Sequence, residues 1–569
     1  MKTSLMLLTA LTLSAAVAQT QSPDFDCLGA MIDCSRGRVL KVDYLKTLFP
    51  RMAKMGYTSV MLYTEDTYKL ENHAKWGYLR GGYTAEDVKS IKAAADGAGI
   101  ELVPCIQTLG HLEKPLKWPE FKPIANGGML LIGEEATYAL IDDMFDFWEK
   151  TVGGKRIHIG MDEAEGFAAG EYKKRHGERD KMDVFLEHLT RVESIAAKHG
   201  FTELIMWGDM FYKIISKTHD YYDPEVQADP SVSARIPKNV RLCFWDYYHD
   251  NQRLYEQLID GHRALKENVV LAGGIWTWDR YFLDLEKTLA NSKAFLDAAR
   301  AKGCREMWFT LWGDDGAASI PDLALGGLFA CAELAAGRTA EPTEENCARF
   351  KAITGYDYAE NVRFGDVTRH YVNQYPESIF EKYILFDDPL SFGNYRNYLV
   401  RKNRPHTSSK PPWGPFATYK TAEWRDDGVA VMEDFRETLT SCAMLEGVPE
   451  AATALVKVLL GKVNLARDLL AAWRAKDRTT LERLATRDLP VLRSNFAAFA
   501  ETYRADWYRT SHVFGFDLLQ KRHATVAARL EEAERRLKEY LAGQIETIPE
   551  LDEAMGDFGA HSGRRVFAW

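Results

Sequence analysis

The sequence predicts a (β/α)8 barrel of the TIM type followed by a C-terminal α-helical domain. Three observations carry this. Between about residues 28 and 337, short apolar runs alternate with stretches of helical periodicity. After about residue 341 strand signals nearly vanish, and long runs rich in Ala, Leu, Glu and Arg take over. No glycine-rich phosphate turn follows the first apolar run, which sets the doubly wound open sheet below the barrel.

The strand candidates are 28–34, 59–63, 102–107, 156–160, 204–207, 240–245, 269–275 and 307–312. Each is short, apolar and rich in β-formers. Between them, 42–55, 85–98, 134–152, 184–199 and 283–302 repeat apolar residues every three or four positions, as a helix packed on a sheet requires. A barrel region of about 310 residues fits this fold with some long loops. Beyond it, 365–420 is rich in Tyr, Asn, Pro and Arg and reads as irregular. Helices follow at 426–445, 450–475, 479–503 and 518–541. No Ser/Gly-rich linker separates the two parts, so they are expected to dock firmly. The helical part has three open roles: completing a pocket, forming a homodimer, or supporting the barrel.

Lys2, the apolar stretch 5–17 and Ala16-Val17-Ala18 have the form of a secretion signal, with a mature chain starting near Gln19. The expected division is therefore a leader over 1–18, a barrel over 19–340 and a helical domain over 341–569, in an exported protein, periplasmic or secreted. No later segment has the ~20 consecutive apolar residues of a membrane span. Net charge is −10 with no basic tract, which argues against a nucleic-acid partner. The eight cysteines are scattered without zinc spacing; export permits disulfides, but the sequence assigns none.

The chemistry is read at the strand ends, because the carboxyl face of such a barrel carries its site. Strand four ends His158-Ile-Gly-Met-Asp162-Glu163, two adjacent carboxyl groups after an apolar run. One can protonate a leaving oxygen while its neighbour stabilises positive charge, the equipment for cutting a glycosidic bond. The last four strands end Trp207-Gly-Asp209, Trp245-Asp246-Tyr247-Tyr248, Trp276-Thr-Trp278-Asp279 and Trp312-Gly-Asp314-Asp315. Residues two apart on a strand share a face, so an aromatic cup with carboxylates on its rim is expected, sized for one sugar. Taken singly, each tryptophan could be core and each aspartate a helix cap; four strands in succession favour a site. Earlier strands end Tyr63-Thr-Glu65-Asp66 and Gln107-Thr-Leu-Gly-His111. His111 could tune a catalytic carboxyl group, or be an ordinary loop histidine. His158, inside strand four, reads as a structural residue hydrogen-bonding neighbouring strands. His111, His158, Asp162 and Asp246 could be gathered into a metal site on paper. No metal-ligand spacing supports this, so no metal or cofactor is expected. A Gly-x-Ser-x-Gly elbow is also absent.

Residues 157–163 resemble the His-x-Gly-Gly-Asp-Glu signature of family 20 glycoside hydrolases, the β-N-acetylhexosaminidases. Four further stretches resemble the branch of that family in which a helical domain follows the barrel. They are Met31-Ile-Asp-Cys-Ser-Arg36, Met61-Leu-Tyr-Thr-Glu-Asp-Thr-Tyr68, Gly77-Tyr-Leu-Arg-Gly81 and Pro104-Cys-Ile-Gln-Thr-Leu-Gly-His111. The resemblance spans the barrel; over the helical region it is one of architecture. Met161 replaces the second glycine of the signature. Leu28 stands where many relatives carry a sugar-binding arginine, and Trp312-Gly-Asp314 stands for their Trp-x-Glu. Arg36, or the pair Asp314 and Asp315, is the expected substitute.

The resemblance implies a retaining, substrate-assisted mechanism in which the sugar's own 2-acetamido oxygen attacks, giving an oxazolinium intermediate. It implies Glu163 as general acid and base, buried against tryptophan. Asp162 would accept the acetamide N–H, and Tyr247, with Tyr248 as second choice, would donate to the acetamide oxygen. Trp207, Trp278 and Trp312 would be walls, Asp66 and His111 a network around Glu163, and Asp314 and Arg36 ligands of sugar hydroxyls. The implied partner is a glycan ending in β-linked GlcNAc or GalNAc. The competing readings are a retaining glycosidase with a carboxylate nucleophile and a secreted, non-catalytic glycan-binding protein.

Overall fold

The structure is a computed structural model and describes residues 24–368, 380–395 and 428–553. The leader expected over 1–18, most of the irregular stretch 365–420 and the start of the helix expected at 426 lie outside the described residues.

Eight parallel strands close into a barrel: β1 Cys27–Asp33, β2 Ser59–Tyr63, β3 Glu101–Cys105, β4 Arg156–His158, β5 Glu203–Trp207, β6 Val240–Trp245, β7 Val270–Gly274 and β8 Glu306–Leu311. Each strand pairs with its neighbours in sequence, and β1 closes the ring on β8 with Cys27 opposite Glu306. Helices on the outside include Val42–Met55, Ala85–Gly97, Glu135–Thr151, Lys181–Lys198 and Leu285–Ala301. β4 stops at His158, short of residue 160. Gly160 and Met161 take φ of 71° and 74°, which lifts the backbone out of the sheet. A small two-stranded ribbon, Ala125–Asn126 with Met129–Leu130, was not foreseen; strands of two residues carry no periodicity.

Along β8 the alternate residues Glu306, Trp308 and Thr310 share one face with Trp312 just beyond. Glu306 pairs with Arg156 of β4 and with Arg241 of β6 at 2.6 Å. Arg156 also meets Glu101 of β3 at 3.0 Å, and Arg241 meets Glu203 of β5 at 2.8 Å. These contacts cross the barrel, so that face points inward: a charged layer at the bottom, Trp308 in the middle, the site at the top.

The helical part has its own core, which includes Phe364, Phe435, Leu459, Leu469, Phe499 and Leu530. It begins near Phe364, because the helix Glu344–Thr354 packs with the barrel core through Phe350 and Ile353. Barrel-loop residues Tyr281, Phe282, Ala318 and Ile320 belong to the helical core, so the two parts share a continuous apolar interface. The helix expected at 479–503 is instead Arg478–Arg483, a π-turn Leu484–Asp488, and Leu489–Thr510. Pro490 has no N–H to give, and the wider turn, closed by the Leu489 N–H on the Leu484 carbonyl, accommodates it. All eight cysteines are free, and seven are buried. No helix among the described residues is long and apolar enough to cross a membrane.

Candidate active site

The turn after β4 sets the carboxyl pair. Gly160 is required there: its φ is 71°, and a β-carbon would lie 2.0 Å from Gln107 Oε1. Met161 follows at φ 74°, fully buried, with its N–H donated to Gln107 Oε1 at 3.1 Å. Left-handed strain of about 1–3 kcal/mol is offset by burial of the side chain, worth about 1.5–3 kcal/mol. That balance explains why methionine stands in a glycine position.

Gln107 also donates Nε2–H to Asp162 Oδ1 at 2.7 Å and to the Tyr63 hydroxyl at 2.8 Å. His111 Nε2 lies 3.1 Å from Asp162 Oδ2 and 3.5 Å from Glu163 Oε2. Neither contact has hydrogen-bond geometry, so the attraction is one of charge. Burial alone would depress the His111 imidazole, but the Asp162 carboxylate against it raises it to about 11. Burial likewise opposes ionisation of Asp162, yet His111 and Gln107 hold its carboxyl below the usual range. The pair is a fixed carboxylate beside a cation.

Around it, Tyr63, Trp207, Trp245, Tyr247, Tyr248, Trp278 and Trp312 line a cavity of about 500 Å³, mouth included, with Arg36, His111, Asp162, Glu163 and Asp314. Trp312 stands at its centre, edge-on to Tyr63 at 4.8 Å and 6.2 Å from Trp207. Tyr247 stacks on Trp245 at 5.2 Å and meets Trp278 edge-on at 5.5 Å. Gly274 at the end of β7 makes room, since a β-carbon there would come within 2.9 Å of both the Trp278 and Tyr247 rings. Trp276 supports them from behind: it stacks on Trp278 at 4.0 Å and donates its indole N–H to the Tyr247 carbonyl at 2.8 Å.

Arg36 spans the far side. It forms a close ion pair with Glu65, and its Nε lies 2.8 Å from Asp314 Oδ1. Asp33 lies beneath, accepting the Ser35 N–H and hydroxyl and the Gly313 N–H, which ties the end of β1 to the end of β8.

The structure thus brings Glu163, Asp162, Tyr247, Arg36, His111, Trp207, Trp278, Trp312 and Asp314 to one cavity. It corrects other expectations. Asp66 is not on the cavity wall; it is buried and pairs with Arg80 at 2.9 Å, while Glu65, buried behind the wall, pairs with the wall residue Arg36. The rim is aromatic but mostly not acidic. Asp209 begins a helix and turns inward, and Asp246 is buried against His249 at 2.5 Å. Asp315 faces the helical domain, pairing with Lys382 at 2.6 Å and Arg522 at 2.7 Å. The Glu163 side chain is 46% exposed at the mouth rather than buried against tryptophan. His158 makes no side-chain hydrogen bond to a neighbouring strand; its Nδ1 accepts the Gly160 N–H of the turn just beyond its own strand, and its ring packs on Trp207 of β5 at 4.5 Å. Gln107, Glu65 and Tyr63 had no assigned role in the sequence reading. Gln107 carried a signal, a lone amide ending an apolar strand.

Residues 363–565 match the model of the Glycoside Hydrolase 20C C-terminal domain. The chain is 27% identical to Hexosaminidase D of Bos taurus over 252 residues, covering 43% of this chain and 68% of that protein. It is also 27% identical to Hexosaminidase D of Homo sapiens over 224 residues, covering 38% of this chain and 44% of the human protein, less than half its length. Among solved structures, a GH20 exo-β-N-acetylglucosaminidase from Vibrio harveyi aligns with a TM-score of 0.44 and 15% identity over 59% of each chain. The chain is thus similar to glycoside hydrolase family 20, through the family's own C-terminal domain model over residues 363–565 and through the two Hexosaminidase D relatives.

Proposed function

We propose that this chain is an exo-acting β-N-acetylhexosaminidase that removes terminal β-linked GlcNAc or GalNAc by a retaining, substrate-assisted route. One observation carries the reading: a fixed Asp162 carboxylate and an accessible Glu163 share an aromatic cup of single-sugar size with Tyr247. In this reading Asp162 accepts the acetamide N–H and stabilises the positive charge that develops as the acetamide oxygen attacks the anomeric carbon. Tyr247 donates its hydroxyl to that oxygen. Trp207, Trp278 and Trp312 wall the acetamido group, and tight walls matter because intramolecular attack depends on a fixed near-attack geometry. Glu163, open at the mouth where a leaving group would exit, gives its proton to the leaving oxygen and then takes one from water. Arg36, held by Glu65 and Asp314, serves the sugar hydroxyls in place of the arginine missing at Leu28. The leader pattern supports export, and a mature amino terminus near Gln19 would be seen by terminal sequencing of the processed protein.

A thiazoline mimic of the oxazolinium intermediate tests the route. Strong competitive inhibition is expected, as for any ligand resembling the transition state. Absence of inhibition alongside turnover would favour the retaining glycosidase with a carboxylate nucleophile.

A further inference from the structure

The helix after β5 begins at Asp209, whose carboxyl group is turned under the Asp162–Glu163 turn rather than into the cavity. Its Oδ2 accepts the Glu163 N–H at 2.9 Å. Glu163 has φ 47°, in the left-handed region that side chains adopt at a cost. A residue held there projects its side chain in a direction set by the backbone, so whatever fixes that backbone aims the Glu163 carboxyl group. Asp209 is 4% exposed, and its Oδ1 is buried without a hydrogen-bond partner. A charged group in that position would be doubly costly, unsolvated and close to the Asp162 carboxylate.

We propose that Asp209 is a positioning residue for the acid–base step: by accepting the Glu163 N–H from beneath, it holds the left-handed turn that points Glu163 at the leaving-group side of the cavity. This rests on the reading of Glu163 as proton donor. Asp209 works as a neutral acid: burial first, then the neighbouring Asp162 charge, pushes it up to about 8. A neutral acid accepts one N–H without adding charge beside Asp162, and an asparagine can do the same.

The test compares Asp209→Ala and Asp209→Asn. On an alkyl or glycan leaving group, Asp209→Ala should lower kcat about 10²-fold, the scale of a misplacement near 1 Å. On the nitrophenyl glycoside, where protonation matters less, its loss should be about tenfold or smaller. Affinity for the thiazoline mimic should hold, since the acetamide partners are untouched. Asp209→Asn should restore most of the rate on both substrates. Equal losses on both leaving groups, an Asp209→Asn variant as impaired as Asp209→Ala, or an unimpaired Asp209→Ala would each overturn the proposal. Hydrogen exchange of the Glu163 amide reads the same bond without any substrate. Faster exchange in folded Asp209→Ala than in wild type is expected, and an unchanged rate would overturn the positioning role even if the catalytic reading fails on its own.

Discussion

The two ends of this barrel use the same residue types for opposite ends. At the bottom, Arg156 and Arg241 are interlocked with Glu101, Glu203 and Glu306, and the carboxylates face guanidinium groups that match them. At the top, the His111 cation has only charge contacts, Asp209 Oδ1 and the Trp207 indole N–H are buried without partners, and Glu163 stands open. Left-handed residues gather at the top as well: Glu65, His111, Met161, Glu163, Asp279 and Asp315. Unsatisfied buried groups occur at both ends, Arg156 Nε and Arg241 Nε among them at the bottom, so it is the strained backbone that sets the top apart, and such strain persists where the surrounding fold over-determines it. The bottom holds the barrel together; the top carries the candidate site.

Substitutions can break this contrast, the largest effect first. Glu163→Gln should cost about 10²–10⁴-fold in kcat on a poor leaving group and clearly less on an activated aryl one; equal losses on both would remove its role as acid. Asp162→Asn should lower turnover about 10²-fold even with the activated group, checked by kcat on the nitrophenyl sugar; a near-normal rate would mean that Asp162 carries no developing charge.

At the other end, Glu306→Ala should leave activity per folded molecule unchanged and cost about 3 kcal/mol of stability, because it removes the buried carboxylate that the two half-buried arginines share. Chemical denaturation checks it, and a loss of activity without a loss of stability would blur the division between the ends. Burial opposes ionisation of Glu306, but Arg241 and Arg156 hold its carboxyl below its ordinary value of 4.5. Its contribution is therefore present above pH 4.5 and lost as the pH falls through the lowered value.

The smallest effect belongs to His111. Its imidazole is raised from 6.5 to about 11, so the stability it contributes is full below pH 6.5 and is lost as the pH rises toward 11. The difference in unfolding free energy between wild type and His111→Gln should shrink across that window; a difference independent of pH would show that the Asp162 contact does not stabilise the charged ring.

Much of this was legible in the sequence. The eight strands fall within a residue or two of the expected apolar runs, since a parallel strand buried on both faces must be apolar. The aromatic cup was legible because tryptophans end one strand after another. At β2 the alternation held: Tyr63 lines the cavity, so Glu65, two residues on, shares its face and meets Arg36, while Asp66 turns away to Arg80. What failed was direction at the later turns. Asp314 and Asp315 are adjacent and chemically alike. Yet Asp315 at φ 62° swings to Lys382 and Arg522 of the helical domain, while Asp314 stays at the cavity. Asp209 reads as a rim carboxylate two residues after Trp207, but a helix begins at that residue and redirects it. Alternation predicts faces only while the strand lasts.

The central claim is that the acetamido group of the substrate, rather than an enzyme carboxylate, makes the first attack. The most direct measurement is nitrophenol release from the β-glycosides of GlcNAc, GalNAc and glucose, side by side. Turnover of one or both acetamido sugars with none on glucose is the predicted result, and it would also give the gluco or galacto preference. Comparable turnover of glucose would contradict the claim and require a carboxylate nucleophile in place of the role given to Asp162.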